Sequence, residues 1–592
     1  MNFDHQERDS NETQNVVSFP LHTNQTKPKE APPGPPMADE FQLLVDGLYM
    51  LPADESDEPV YICTPIRVDA TFADEHNRGW GRVVNVQSAG TWHEIPVKNA
   101  ELQCKPSDVV ATLVDHGLEL GTDKRSKERL LNFLKTSRPT NQLLSIDRMG
   151  WIDDSYKSFA IGSTLIGRGG VLPPPTATGV GAALRVSGAI SGWRAQVGEA
   201  CRDNPQLILA VSLAFSAPLL APLDIPGGGL HFRGASSSGK TTLMNVAASV
   251  WGGRELITQW RATSNGLEAI AATLNDMLLP LDEIGEISAR DLDSSIYMLA
   301  NGTGKSRMGR DATLADPARW RLAIISSGEV SVAEKLNAAG HAAMAGQEVR
   351  LIDVEADSRQ HGVFDALHGA ASAAAFAEDL QRVSRNHFGA VGQAFVQNLI
   401  DQGKVSERDR LGKAVDTLTS SLLRNLPASA DGQTTRVAKR FAVIAVAGSL
   451  ATEFSLTGWA PRDALAAAKE AFLDWYDRRH SAQHDTANRY VKALKDYINA
   501  HGGNIHDLAD QHTANPQVLG WKDAARIYLP DDTWNAIFPA PERTKAASSL
   551  RDVQILVAAE KGRLKVKAPR AIPDRPRVYA LSIEALNGYS TD

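Results

Sequence analysis

Apolar and polar positions change their spacing several times along this chain, and each change marks a different kind of structure. From about 41 to 110, short apolar runs such as YICTPIRVDATF are separated by turn residues. GRVVNV and TWHEIPV flank QSAG as the two arms of a hairpin, and KERLLNFLKTS follows with helical spacing. This pattern predicts an α+β domain over 41–190, in which Trp80, Trp92 and Trp151 serve packing and turns. Between 191 and 360, strand-like apolar runs alternate with helical segments, the pattern of a parallel α/β sheet. From 361 to 482 the chain is rich in alanine with helical periodicity, as in FAVIAVAGSLATEF. Residues 483–592 form a smaller mixed segment with a basic end, and 1–40, closing on KPKEAPPGPP, read as a disordered, extended leader.

Leu207 to Leu223 is uncharged, LILAVSLAFSAPLLAPL, and sits at the short limit for a bilayer span. It holds Pro218 and Pro222 and runs into a glycine turn, so a buried helix packed on a sheet is expected, with no membrane partner.

Composition narrows the function classes. A net charge of −8 over 592 residues excludes a polybasic coat protein, so any nucleic-acid contact must come from local basic patches. The three cysteines, Cys63, Cys104 and Cys201, form no CxxC pair, which favours neither a zinc site nor a disulfide framework and suits a reducing cytoplasm. The polar start, MNFDHQERDSNETQ, is unlike a signal segment.

The strongest chemical signal is Gly234-Ala235-Ser236-Ser237-Ser238-Gly239-Lys240-Thr241, a full G-x-x-x-x-G-K-[ST] phosphate loop followed by Thr242. Leu230-His231-Phe232 precedes it as a strand, and Leu243, Val246, Ala247 and Val250 follow on one helix face. Glycine lets backbone N–H groups approach phosphate oxygens at a helix N-terminus. Lys240 would neutralise the β and γ phosphates of ATP, and Thr241 would hold Mg²⁺. The run MLLPLDEIGE ends in Asp282, a second Mg²⁺ ligand, and Glu283, which would polarise the attacking water. Pro280 implies a bulge or an unpaired position in that strand. The next strand-like run ends in Ser326-Ser327, either of which could sense the γ-phosphate.

A second GKS, in Asn301-Gly-Thr-Gly304-Lys305-Ser306-Arg307-Met-Gly-Arg310, is no second phosphate loop. Leu299 stands where glycine is required, and DLDSSIYMLANG reads as a helix ending at a glycine cap. The segment is a basic insertion whose Lys305, Arg307 and Arg310 suit phosphate contact. At the C-terminal end, a helix with Ala546, Leu550 and Val553 precedes RLKVK and a proline-rich turn, the outline of a winged helix. Lys565 and Lys567 in its wing are candidate contacts to a DNA backbone, with a DNA-free regulatory role as the alternative.

The blocks GASSSGKTTLMNVAASVWGG, QWRATSNGLEAIAA, LPLDEIGE, YMLANGTGKSR and WRLAIISSGE, in this order, closely resemble the family known as domain of unknown function 927. DRMGW at 147–151 and NHFGAVGQAFV at 386–396 extend the resemblance over about 45 to 480. Members are encoded by phages, plasmids and other mobile elements, often beside primase modules, and some are similar to MCM-type AAA+ replicative helicases. The resemblance implies a P-loop NTPase core of AAA+ (ASCE) type with a helical lid, working as a homo-hexameric DNA motor with ATP between subunits; the sequence shows no zinc-ligand cluster of a primase, so priming would need a separate primase. It also implies that the 301–310 insertion projects into a DNA channel, that Arg350 in GQEVRLIDVEAD is an arginine finger donated in trans, and that Arg436 in TTRVAKRFAVIAV is the sensor arginine of the lid. A DNA-packaging or remodelling ATPase and a nucleotide-switched origin-binding initiator are the alternatives.

Overall fold

The computed structural model describes residues 16–18, 39–52, 58–74, 76–146, 148–167, 171–172, 179–308, 314–315, 317–338, 345–424, 426, 431–510, 518–540, 542–558 and 563–590. The chain divides into two compact units, Met1–Phe472 and Leu473–Asp592.

In the first unit, the expected hairpin is present as Gly81–Ser88 against Thr91–Lys98, turning through Ala89 and Gly90, both at positive φ. With Ile66–Ala73, Asn141–Ser145 and Val171–Leu172 these arms make a five-stranded sheet. Val68, Val84, Val86 and Ile95 of these strands pack against Leu113, Leu130 and Phe133 of the helices Pro106–Asp115 and Ser126–Thr136. A second small sheet joins Gly150–Trp151, Ser158–Ile161 and Thr164–Gly167. Val16–Ser18 pairs antiparallel with the last of these, so the polar leader contains one strand. The rest of residues 1–38, expected to be disordered, lies outside the described residues. Trp151 is buried and donates its indole N–H to the Pro218 carbonyl at 2.8 Å. Trp80 bonds the carbonyl of Asn77 in its own turn, and Trp92 lies under Arg67.

The parallel sheet is built from β1 (Gly228–Arg233), β2 (Thr258–Gln259), β3 (Leu278–Asp282), β4 (Ala323–Gly328) and β5 (Leu351–Glu355), in the order β2-β3-β4-β1-β5. Its central strands are buried on both faces, which is why they read as unbroken apolar runs. Pro280 causes no bulge: β3 stays in register with β4 through Pro280 and Ile325. The Asp282 carbonyl accepts from Trp260 N–H on the β2 side, so Pro280, two residues back, faces that side too. There β2 begins only at Thr258, opposite Leu281, and no donor is required of the proline.

The apolar run at 207–223 is the buried helix Pro205–Ser216 and the turn after it. Gly448 in the helix Gly432–Glu453 packs against its Ser212, and Phe395 in Ala390–Asp401 against its Phe215. The helices of the alanine-rich segment thus form a layer directly on the sheet's own helices. Among the described residues no helix is long and apolar enough to cross a membrane.

The second unit carries a five-stranded sheet, in the order Ile505–Asp507, Gly520–Lys522, Arg526–Leu529, Arg577–Ser582, Val566–Lys567. Trp534, Leu550 and Tyr579 lie in its core with Tyr490 and Leu494. The expected helix is Arg543–Asp552, burying Ala546 and Leu550, and the basic hairpin pairs Val566–Lys567 with Arg577–Val578.

Candidate functional site

Because all five strands of the parallel sheet run the same way, their carboxyl ends share one edge, where open α/β sheets bind ligands. Register brings Phe232, Ser327 and the end of β3 into one row across β1, β4 and β3. The phosphate loop leaves β1 at Gly234, whose N–H bonds the Gly328 carbonyl at the tip of β4. Ser237 has φ +63° and Gly239 φ +95°, so the loop turns twice through the left-handed region, a backbone nest suited to anions. The helix Lys240–Ala248 starts directly after Gly239 and points its N-terminal end into the nest.

Lys240 is nearly buried, and its ammonium donates to the carbonyls of Gly234 (2.8 Å) and Ala235 (2.7 Å) and to Ser238 Oγ (3.2 Å). All three donors are satisfied within the loop, and a phosphate would replace those acceptors. Ser236, Ser237 and Thr241 are exposed. Thr242 is turned inward, its hydroxyl accepting from Gln381 Nε2 at 2.8 Å. It therefore braces the helix and does not face the loop.

At the tip of β3, Ser327 Oγ donates to Asp282 Oδ1 and accepts the Glu283 N–H at 3.3 Å. Ser326, the alternative, faces the other way. It is fully buried, accepts from Trp260 Nε1 at 2.8 Å and donates to His231 Nδ1 at 2.9 Å. His231 Nε2–H then donates to the Val330 carbonyl, which fixes the tautomer. Burial pushes the His231 pKa down to about 4, so this chain of bonds is neutral. Glu283 has φ +56°, a costly conformation for a non-glycine residue, and its carboxylate accepts from its own turn at Gly285 N–H.

Two groups at the loop were not found from the sequence. Asp357 Oδ2 accepts the Ala235 N–H at 2.8 Å, and the Val363 N–H donates to the Ser238 carbonyl at 2.8 Å. Residues 356–364 thus strap the phosphate loop from the end of β5. Gly362, at φ +76° and with no room for a Cβ beside the Ser238 carbonyl, was the one local signal.

Arg350 precedes β5, at the opposite end of the sheet from this chain's own phosphate loop, about 20 Å away along the strands. At that distance it is out of reach of its own phosphate loop. Arg436 is exposed near the start of Gly432–Glu453, just past its first turn. One turn on, Arg440 is buried against the carbonyls of Pro226 (3.1 Å) and Gly227 (2.9 Å), under the start of β1, and burial lowers its pKa to about 10. Arg436 therefore also lies toward the far end, not over this chain's own loop.

The helix before the insertion is Ala289–Asn301, capped by Gly302 at φ +68° as expected. Lys305 donates its backbone N–H to Glu268 (3.3 Å) and its ammonium to Ser264 Oγ (3.2 Å). Arg307–Met308 pairs antiparallel with Leu314–Ala315, so the insertion is a hairpin, while Arg310 lies outside the described residues. In the second unit, Lys565 is engaged: it pairs with Asp531 at 2.5 Å and lies over the Tyr579 ring. Lys567 is exposed.

Residues 41–319 match the family described as a domain of unknown function, DUF927. This bears out the family resemblance over that stretch, which holds the phosphate loop, Asp282, Glu283 and Lys305. The DUF927 match ends before Ser326, Ser327 and Arg350. No curated protein matches the chain. Seven solved chains do, among them one described as SCCmec type IV Cch, active helicase, with a TM-score of 0.66, 18% identity, and coverage of 93% of this chain and 99% of that one. The likeness extends the shared fold well beyond the DUF927 segment.

Proposed function

We propose that this chain is an ATP-dependent DNA helicase or translocase that assembles as a ring, a homo-hexamer by family analogy, and serves replication of a mobile element. The carrying observation is the division of the nucleotide machinery between the two ends of one sheet. The phosphate loop with Asp282 and Glu283 lies at the carboxyl edge, and Arg350 at the other. A subunit so built needs a neighbour to complete its site. The fold shared with a protein described as an active helicase supports the same reading.

In this mechanism Lys240 leaves its loop carbonyls for the β and γ phosphates. Thr241 and Asp282 offer an exposed hydroxyl and a carboxylate, hard oxygen donors that fit Mg²⁺. When bound, the ion supplies charge neutralisation at the phosphates. Ser327 holds the Asp282 carboxylate in place, and Glu283, released from its own turn, orients the attacking water. Arg350 meets the γ-phosphate of the adjacent subunit. Lys305 and Arg307 contact the DNA backbone electrostatically, and a separate primase would supply primers.

A second reading, a nucleotide-switched initiator that binds origin DNA, draws on the exposed basic hairpin of the second unit; a packaging or remodelling ATPase would move another polymer. Forked-DNA unwinding measured beside oligomer mass, with ATP and Mg²⁺, tests the proposal. Strand separation by a ring-sized assembly is expected. ATP-dependent origin binding without unwinding would replace this reading with the initiator.

A further inference from the structure

We infer that Asn301 and Tyr297 are positioning residues for Arg350, and that through them the clasped base of the insertion, residues 302–305 with 318–320, governs how Arg350 meets the nucleotide of an adjacent subunit. The inference rests on the proposed ring ATPase and adds to it a physical route from polymer contact to hydrolysis.

Arg350 is half-buried and held on three sides. Asn301 Oδ1 accepts from its Nε at 3.3 Å and its Nη2 at 3.2 Å, and the Gly346 carbonyl accepts from Nη1 at 2.7 Å. The Tyr297 ring lies 4.7 Å from the guanidinium carbon. Each of these partners is uncharged. Of the five guanidinium N–H bonds, these contacts use three, which leaves two for an acceptor outside the chain. The positive charge of buried Arg440 acts on Arg350 from the sheet side, disfavouring a retreat inward. A guanidinium held in fixed geometry by neutral groups keeps its charge for an external anion. Gly346 is part of the cradle, since a Cβ there would stand 2.9 Å from the Tyr297 hydroxyl and 3.2 Å from Arg350 Nη1.

The residues that hold Arg350 belong to the helix that carries the insertion. Asn301 is its last residue, and Tyr297 lies one turn earlier on the same face. Directly beyond Asn301 the two ends of the insertion are clasped: Trp320 N–H bonds the Gly302 carbonyl, Thr303 bridges Arg319, and Gly304 N–H bonds the Ala318 carbonyl. Lys305 follows at once, tied to Glu268 and Ser264. A pull on Lys305 by a phosphate chain is therefore applied within four residues of the amide that orients Arg350. The other end of the helix begins six residues after Glu283. One rigid element joins the water-orienting carboxylate of one site to the arginine offered to the next.

The test is steady-state ATP hydrolysis by the full chain, with and without single-stranded DNA. The variants are Arg350→Ala, Asn301→Ala, Asn301→Asp and the double variant Asn301→Ala/Arg350→Ala. Arg350→Ala should cost about 10³-fold in kcat. Asn301→Ala should lower DNA-stimulated kcat about tenfold with the KM for ATP unchanged, the effect of one lost hydrogen-bonding partner. Asn301→Asp, which keeps the acceptor oxygen but sets a carboxylate on the guanidinium in competition with the phosphate, should be no faster than Asn301→Ala, and recovery of wild-type turnover there would count against a neutral cradle. The double variant should be no slower than Arg350→Ala alone, because Asn301 acts only through Arg350. Losses that multiply in the double variant, or an Asn301→Ala protein with full DNA stimulation, would overturn the inference and leave the ATPase standing. A wild-type chain that does not hydrolyse ATP would overturn both.

Discussion

Ser327 on β4 donates its hydroxyl hydrogen to Asp282 on β3, and the same oxygen accepts the Glu283 N–H. One hydroxyl thus orients the carboxylate proposed for Mg²⁺ and anchors the backbone of the residue proposed to orient water. Ser327→Ala should lower kcat for ATP by roughly 10–100-fold while the KM for ATP stays within about twofold, because the phosphate loop is untouched. Ser326→Ala should behave differently. It leaves the Trp260 indole N–H and His231 Nδ1 without their partner, so a stability loss of about 1–3 kcal/mol is expected, with turnover retained. Urea unfolding alongside ATPase assays separates the two, and an exchange of these phenotypes would reverse the assignment of the serines.

Lys240→Ala should abolish ATP turnover and leave the fold intact. The carbonyls it releases, at Gly234 and Ala235, lie beside the exposed stretch of the loop, where water can replace the ammonium. Hydrolysis is read against the thermal melt by circular dichroism. A collapsed melt would mean that the lysine is holding the loop rather than serving the nucleotide.

The parts of the site that could be read from the sequence are those contiguous in the chain. The loop Gly234–Thr241 carries its strand, its turns and its helix within a few residues of itself, and Asp282-Glu283 closes a short apolar run of strand length. What could not be read depends on distant partners. Adjacent strand residues face opposite sides, so Ser326 and Ser327 could be told apart only through the register of β4 with β3. Asp357 is far along the chain from Ala235, and its strand-end position carries no motif. Lys565 looked free because its partner, Asp531, belongs to another element. The placement of Arg436 beyond the base of the sheet followed from the packing of its helix on Pro205–Ser216, which helical periodicity leaves open.

Two buried groups should shape stability against pH with opposite signs. His231 has its pKa lowered from 6.5 to about 4 by burial, so the unfolded chain binds more protons between those values. Its contribution, about 3 kcal/mol, is present above pH 6.5 and is lost as pH falls to 4. Asp276 is buried beside the Trp151 N–H and Asn275, and burial raises its pKa from 3.8 to about 6. Here the folded chain binds more protons, so a cost of about 3 kcal/mol present above pH 6 is relieved as pH falls to 3.8. The two nearly cancel between pH 4 and 6. Asp276→Asn keeps an acceptor for both donors and should unmask the histidine as a stability loss below pH 6.5. Urea midpoints measured from pH 4 to 7 would show it, and a profile parallel to the wild type would reject the pairing.

Lys305→Ala combined with Arg307→Ala should keep basal ATP hydrolysis and lose both DNA stimulation and unwinding. Lys305 touches Ser264 and Glu268 but none of the phosphate-loop residues, so the hydrolytic site stays assembled. Removing two phosphate contacts should also reduce the salt dependence of DNA binding, by a slope of about 2. A double variant that unwinds forked DNA at the wild-type rate would place the DNA track elsewhere.

In the second unit, Lys567 stands directly opposite Arg577 across the hairpin, and both are exposed. Like charges in register destabilise a strand pair, so this pair carries a cost that an anion on the hairpin would relieve. Arg570 is exposed on the same turn, and Arg575 holds the Ala568 carbonyl. Lys567→Ala with Arg577→Ala should therefore weaken DNA binding by the full chain about tenfold at low salt and leave stability equal or slightly improved. Lys565→Ala should do the reverse. Its ammonium joins Asp531 and covers the Tyr579 ring, which stacks on Trp534 in the core, so its loss should lower stability and leave DNA affinity unchanged. Fluorescence anisotropy with a labelled duplex, read beside urea midpoints, distinguishes the two lysines, and unchanged affinity in the Lys567/Arg577 variant would leave this hairpin with no role in DNA binding.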